Sequence, residues 1–207
     1  MNQSPLEQSA VPKNQKNFTP QDRRDVGRNE LIDGRVTPKP ASDRWTNLIT
    51  SNFIIALGNR IQRANCEIYG GDMQVEVAKN SVCYTNVVVV NGEPHFANGP
   101  SSRSEVLQNP TLLVEIISMS SSRSTERMRK LEGFLAVPAI KEVLLVNQNE
   151  MRIEHYAKQN PKQWVYRIYD ERDDVISLDS ISCKISLVEI YTQVKLGESE
   201  LSSKAVN

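Results

Sequence analysis

The spacing of apolar and polar residues changes along the chain, and each change predicts an element. Leu31-Ile32-Asp33-Gly34-Arg35-Val36 sets a tight-turn dipeptide between two short apolar runs, the pattern of a hairpin. Ile49, Phe53, Leu57, Ile61 and Ala64 then recur at helical spacing. Ser42 or Asp43 stands just upstream, where a side-chain oxygen can accept from first-turn amides. Met73, Val75 and Val77 alternate with Gln74 and Glu76, as in a half-buried strand. Val87-Val88-Val89-Val90 is a continuous β-branched run, which suits a strand covered on both faces. Leu112 to Ile117 is a second such run, with Glu115 inside it. Met128, Leu131 and Leu135 mark a second helix, which Pro138 ends. Val143–Val146, Met151–Ala157 and Gln163–Tyr169 are separated by polar turns and predict an antiparallel meander. A short helix over Leu187–Val194 closes the pattern, and no internal repeat appears. Helices flanking a mixed sheet place the chain in the α/β class.

Composition narrows this picture. Residues 1–28 are rich in Gln, Asn, Ser, Pro, Lys and Arg without apolar periodicity, and residues 195–207 turn polar again. Both are expected to be flexible tails around one domain over 29–194. The formal net charge is zero, so any nucleic-acid contact rests on a local basic patch. Cys66, Cys83 and Cys183 are odd in number and widely spaced, which argues against a zinc site or a disulfide framework. No apolar run is long enough to span a membrane, and the first residues lack a charged-then-apolar signal pattern. The expectation is a cytoplasmic protein without a membrane partner.

Glu115 is the residue that apolar patterning does not explain. A carboxylate inside Leu-Leu-Val-Glu-Ile-Ile is costly unless it is paired or binds a cation. Metal-dependent phosphodiester cleavage needs such groups: hard oxygen donors on adjacent rigid strands, with a lysine to stabilise developing charge. The start of the Val87 strand, at Thr85-Asn86, is the natural place for a second donor.

Six segments in order resemble the Uma-two family of restriction-type endonucleases, a branch of the PD-(D/E)xK nucleases. They are Glu30-Leu31-Ile32-Asp33-Gly34, Leu48 to Asn52, Asn86 to Val90, Val114-Glu115-Ile116-Ile117 with the serines after it, Val143 to Gln148, and Arg152 to Tyr156. Leu187 to Tyr191 adds to them, and the likeness covers roughly residues 28–192. The resemblance implies a restriction-endonuclease-like fold, a DNA substrate, a magnesium ion, and a homodimer able to cut both strands. It assigns Glu115 as a metal ligand, the Asn86 position as the second ligand, and a helix lysine as charge stabiliser, with Glu30 as an auxiliary acid. Ile117 stands where the wider superfamily has its lysine and cannot serve. Lys130 fits the helix position that replaces it, with Arg129 the alternative if the intervening loop is counted without a gap.

The pattern breaks at three places. Thr85-Asn86 stands where the family has Pro-Asp, so one anionic ligand becomes neutral. Met119 replaces a loop proline, and Trp45-Thr46-Asn47 lacks a histidine often found there. The expectation is an endonuclease whose activity is weakened or lost; the rival is a nuclease-fold module without catalysis that binds DNA or pairs with an active relative. Arg123, Arg127, Arg129 and Lys130 are candidate phosphate contacts or a solvated helix face. The serine-rich stretch over 118–122 reads as a polar turn, and His155 as a hydrogen-bonded structural histidine.

Overall fold

The computed structural model describes residues 28–32, 35–39, 42–61, 65–71, 73–78, 81–97, 105–118 and 124–197. Residues 1–27 and 198–207 of the predicted tails, the Asp33-Gly34 turn, Ala64, Met119 and residues 120–123 lie outside this set. Strands β1 (Arg28–Ile32) and β2 (Arg35–Lys39) pair antiparallel outward from Ile32 and Arg35, in the register expected for a hairpin. Pro38 is tolerated because β2 is an edge strand, where a missing amide breaks no ladder bond. Helix α1 (Arg44–Gly58) is capped by Asp43, whose carboxylate accepts from the Thr46 amide at 2.8 Å. Ile49, Phe53 and Leu57 are its buried stripe, as their spacing predicts.

Two larger sheets carry the fold. β4 (Gln74–Ala78), β5 (Ser81–Tyr84) and the short β7 (Val106–Leu107) join the hairpin in the order β2-β1-β5-β4-β7. The second sheet runs β11-β10-β9-β8-β6-β3. Its members are β3 (Cys66–Gly70), β6 (Val87–Asn91), β8 (Leu112–Ile117), β9 (Glu142–Asn147), β10 (Ile153–Asn160) and β11 (Gln163–Tyr169). β8 and β9 run parallel, joined through helix α2 (Ser124–Ala136), while β9, β10 and β11 form the predicted antiparallel meander. A two-stranded ribbon, β12 (Val175–Leu178) with β13 (Cys183–Ser186), and the single-turn α3 (Leu187–Ile190) complete the domain. The closing helix is thus shorter than the sequence predicts. Its capping box at Ser186 and Glu189 fixes where it starts.

The six-stranded sheet is apolar on both faces, which is why its central strands read as unbroken Val and Leu runs. On one face Val87, Val89, Leu112, Val114 and Ile116 pack with Ile49, Phe53 and Leu57 of α1 and with the β12–β13 ribbon. On the other, Val88, Val90, Leu113, Val143 and Leu145 pack with Leu131 and Phe134 of α2 and with Val75, Val77 and Cys83 of the five-stranded sheet. Met128, predicted as part of the α2 stripe, is 53% exposed. The buried stripe runs instead through Leu131 and Phe134, and Leu135 packs at its margin. Strand alternation puts Glu115 on the same side as Leu113, toward α2 and the five-stranded sheet.

Candidate active site

The five- and six-stranded sheets are stitched together at Thr85-Asn86, where the chain leaves β5 and enters β6. The sequence reading treats Cys83 to Val90 as one approach to a strand; in the structure two strands of different sheets meet there. The crossing is buried, with Thr85 fully covered and Asn86 5% exposed. The Asn86 amide donates to the Val114 carbonyl at 2.9 Å, and its side-chain Oδ1 accepts from the Ile116 amide at 2.8 Å. Asn86 therefore extends the β6–β8 ladder past Val87, with a side-chain carbonyl in place of a main-chain one. Its main-chain amide and side-chain oxygen together hold the backbone on both sides of Glu115 in position.

Around this crossing three oxygens converge: Glu30 Oε1 from β1, Glu115 Oε1 from β8 and the Tyr84 carbonyl at the end of β5. The Lys130 ammonium of α2 donates to all three, at 2.9, 2.8 and 2.8 Å. Lys130, Glu115 and Glu30, all singled out from the sequence, are brought together. Arg129 is exposed on the same helix, so of the two it is Lys130 that reaches the pocket. A helix turns about 100° per residue, so neighbouring side chains cannot share one pocket. Glu30 also accepts from the Tyr84 amide at 3.0 Å, and Lys130 bridges its carboxylate to the carbonyl of the same residue.

Sequence reading missed Lys39. Its ammonium donates to the Tyr84 carbonyl at 2.8 Å and lies 3.9 Å from Glu30 Oε1 and 3.8 Å from Glu115 Oε1. The hairpin register held the signal. Glu30 stands opposite Thr37, so Lys39 is a same-face diagonal neighbour of Glu30, within reach of a long side chain. Side chains of all four charged residues are largely buried: 5% of Glu30, 14% of Glu115, 9% of Lys130 and 12% of Lys39 is exposed.

The electrostatics follow from that enclosure. Burial pushes the Glu30 carboxyl upward, but Lys130 and Lys39 together outweigh it and hold it below the ordinary value. Burial disfavours the Lys130 ammonium, yet Glu115 and Glu30 keep its pKa above that of an ordinary lysine. Behind them, burial pushes the Cys83 thiol up to about 12, so it is an inert neighbour. Glu115 Oε2 is buried and has no hydrogen-bond partner among the described residues.

The donor set does not fit a divalent cation as it stands. Two carboxylates face two ammonium groups, so the pocket is formally neutral before any ion enters. The second expected ligand, Asn86, contributes no charge, and its oxygen is engaged by the Ile116 amide. Among the described residues no three His, Cys, Asp or Glu side chains gather as metal ligands. Magnesium sites rely on a surplus of anionic oxygen, and Glu115 Oε2 alone does not supply one.

The other candidates fall away from this pocket. Arg127 pairs with Glu154 at 2.9 Å on the β10 side of α2. Of the predicted polar turn only Ser118, just after β8, is described; residues 119–122 and Arg123 lie outside the described residues. Thr46, near the position of the expected histidine, donates to Gln148 Oε1 at 2.7 Å and so ties α1 to the turn after β9. His155 is fully buried, with Nε2 3.1 Å from Glu142 Oε1; Nδ1 has no partner among the described residues. It is structural, as expected, but only half hydrogen-bonded.

Comparison with known proteins agrees with the fold. The crystal structure of a "putative nuclease belonging to DUF820" from Anabaena variabilis superposes with a TM-score of 0.61 at 15% identity, covering 81% of this chain and 91% of that one. That likeness concerns the fold. Two Synechocystis proteins are similar in sequence. The protein sll1609 is 29% identical over 139 residues, which is 67% of this chain and 76% of the relative. The protein slr1290 is 21% identical over 164 residues, 79% of this chain and 83% of the relative. The family model described as "Putative restriction endonuclease" matches residues 18–189. The chain therefore belongs to the Uma-two family, with an α/β restriction-endonuclease-like fold.

Proposed function

We propose that this protein is a DNA-directed nuclease-fold module in which phosphodiester hydrolysis is weakened or lost, and which binds DNA or pairs with an active relative. The observation that carries this reading is the state of the pocket. Glu115, Glu30 and Lys130 meet where a nuclease of this class would hold its chemistry, while Asn86 supplies a neutral ladder bond instead of an anionic ligand. Family membership supports the nuclease lineage. Restriction-endonuclease-like enzymes generally use a divalent metal; magnesium is the ion proposed for an intact version of this pocket, with Glu115 and an aspartate at position 86 as its ligands. In the chain as it stands, Lys130 positions the two carboxylates against the Tyr84 carbonyl and keeps the β1, β5 and β8 backbones in register. A homodimer in the cytoplasm is part of the same proposal.

The test is cleavage of supercoiled plasmid in magnesium or manganese by the parent, Asn86→Asp and Glu115→Ala. The expected result is little or no nicking by the parent and by Glu115→Ala, and cleavage by Asn86→Asp. If the parent cuts and Glu115→Ala does not, the protein is a working enzyme with Asn86 as an adequate ligand, and the proposed loss of activity is wrong. Duplex DNA binding is read separately by gel shift. Retardation that weakens steeply with salt is expected of phosphate contacts; no retardation by any of the three proteins removes the DNA-binding half of the proposal.

A further inference from the structure

The pocket contains one cation more than the chemistry implied by the family needs. Lys130 alone already satisfies Glu30 Oε1, Glu115 Oε1 and the Tyr84 carbonyl at hydrogen-bond distance. Lys39 approaches the same three oxygens from β2, at 3.9, 3.8 and 2.8 Å. Two carboxylates and a main-chain carbonyl are the hard oxygen donors that a divalent cation takes. Here an ammonium on a flexible stem stands against them. Compared with a pocket that has Asp at 86 and a neutral residue at 39, the chain has lost one negative charge and gained one positive. The difference is two units, the charge of the ion that a working site would recruit.

We propose that Lys39 is an internal counter-cation that takes the electrostatic place of a divalent metal. The inference rests on the reading of this pocket as a nuclease centre. It goes further by assigning the loss of cation binding to two residues, Asn86 and Lys39, rather than to one. Opposite charges at about 4 Å interact strongly where water is largely excluded, and like charges repel as strongly. An ion entering beside Glu115 would meet the Lys39 ammonium within that range. Lys39 comes from the hairpin, far in sequence from Glu115, so its ion contacts also fasten the edge of the five-stranded sheet to the six-stranded one. A metal would do the same from solution; the lysine does it without one.

The measurement is manganese binding by electron paramagnetic resonance and calorimetry, with MnCl2 as the probe and the full chain as the protein. The variants are Lys39→Met, which keeps the stem and removes the charge, Lys39→Arg, which keeps the charge, and Lys39→Met with Asn86→Asp. Circular dichroism establishes that each is folded. The parent and Lys39→Arg are expected to bind weakly. Lys39→Met should bind one ion on the order of a hundredfold more tightly, and more tightly still with Asn86→Asp. Adding Glu115→Gln should abolish the gain, which places the ion in this pocket. Parent binding as tight as that of Lys39→Met, lost on Glu115→Gln, would overturn the proposal. So would a folded Lys39→Met, Asn86→Asp double variant that binds no manganese. The nuclease reading fails differently. If the double variant binds the ion but cuts no DNA, Lys39 has the assigned role and the phosphodiester chemistry does not. If Asn86→Asp with Lys39 in place binds manganese as tightly and cuts as fast as the double variant, the nuclease reading stands and Lys39 has been misassigned.

Discussion

Two buried carboxylate clusters flank the central sheet, and they are built on opposite plans. At Glu142, on β9, the carboxylate is closed off by fixed donors. It accepts from the Asp179 and Ser180 amides, each at 3.2 Å, from the Ser180 hydroxyl, and faces His155 Nε2 at 3.1 Å. Every one of these groups belongs to the turn after β12 or to β10, so Glu142 pins the ribbon to the sheet. At Glu115 and Glu30 the principal partners are ammonium groups on long stems, and Glu115 Oε2 is left without a hydrogen bond among the described residues. Burial alone therefore does not separate a structural acid from a chemical one. Donors fixed by the backbone mark the first. Adjustable charges and an unfilled lone pair mark the pair to which the proposed chemistry is assigned.

That contrast is sharpest when each cluster is deprived of one member. Glu142→Ala should have the largest effect, a loss of about 3–5 kcal/mol, because it leaves the buried His155 without its partner and removes the acceptor of the Asp179 and Ser180 amides and the Ser180 hydroxyl that pin the ribbon. Urea unfolding measures it, and a loss under about 1 kcal/mol would remove the claim that this cluster is structural. Lys130→Met should cost about 2–4 kcal/mol: two carboxylates then face only Lys39, which sits farther from both. A Lys130→Met loss exceeding that of Glu142→Ala would reverse the contrast between the clusters. At Asn86 the comparison is internal. Asn86→Ala leaves the Ile116 amide unpaired and should cost about 1–3 kcal/mol, whereas Asn86→Asp keeps an acceptor and should cost less. If the two are equal, the Oδ1 bond does not hold the crossing.

The smallest expected effect lies in the acid limb. Glu30 ionises at lower pH in the folded chain than in the unfolded one, despite its burial, because of Lys130 and Lys39. Its contribution is complete above the ordinary carboxylate value of 4.5 and is lost as pH falls through the lower folded value. Chemical denaturation across that window should show stability falling in the parent and falling less steeply in Glu30→Gln. Equal slopes would mean that the lysines do not hold Glu30 ionised.

Much of the fold is legible without coordinates because it rests on local period. The β8 run, the α1 stripe, the β9–β11 meander and the hairpin about Asp33-Gly34 all follow from spacing and turn residues. The strands that escape notice are β3, β5, β7, β12 and β13. They are short, or they interleave polar residues, so no period stands out from the background. The α2 stripe departs from expectation at Met128 because a three-residue apolar pattern fits either of two adjacent faces; only the location of the sheet decides which is covered.

For the site, the sequence by itself determined that a carboxylate lies inside an apolar strand, that position 86 has no charge, and that a lysine follows on a helix. Those are statements about residue type, and residue type is all that local patterning and family resemblance read. Tertiary structure alone decided that Lys130 and not Arg129 turns inward, that Asn86 extends a ladder, and that Lys39 comes within 4 Å of both acids. The reason is physical. Charges separated by many residues in the chain interact only when packing excludes water between them, and that packing is set by two sheets meeting at Thr85-Asn86, not by any run of neighbouring residues.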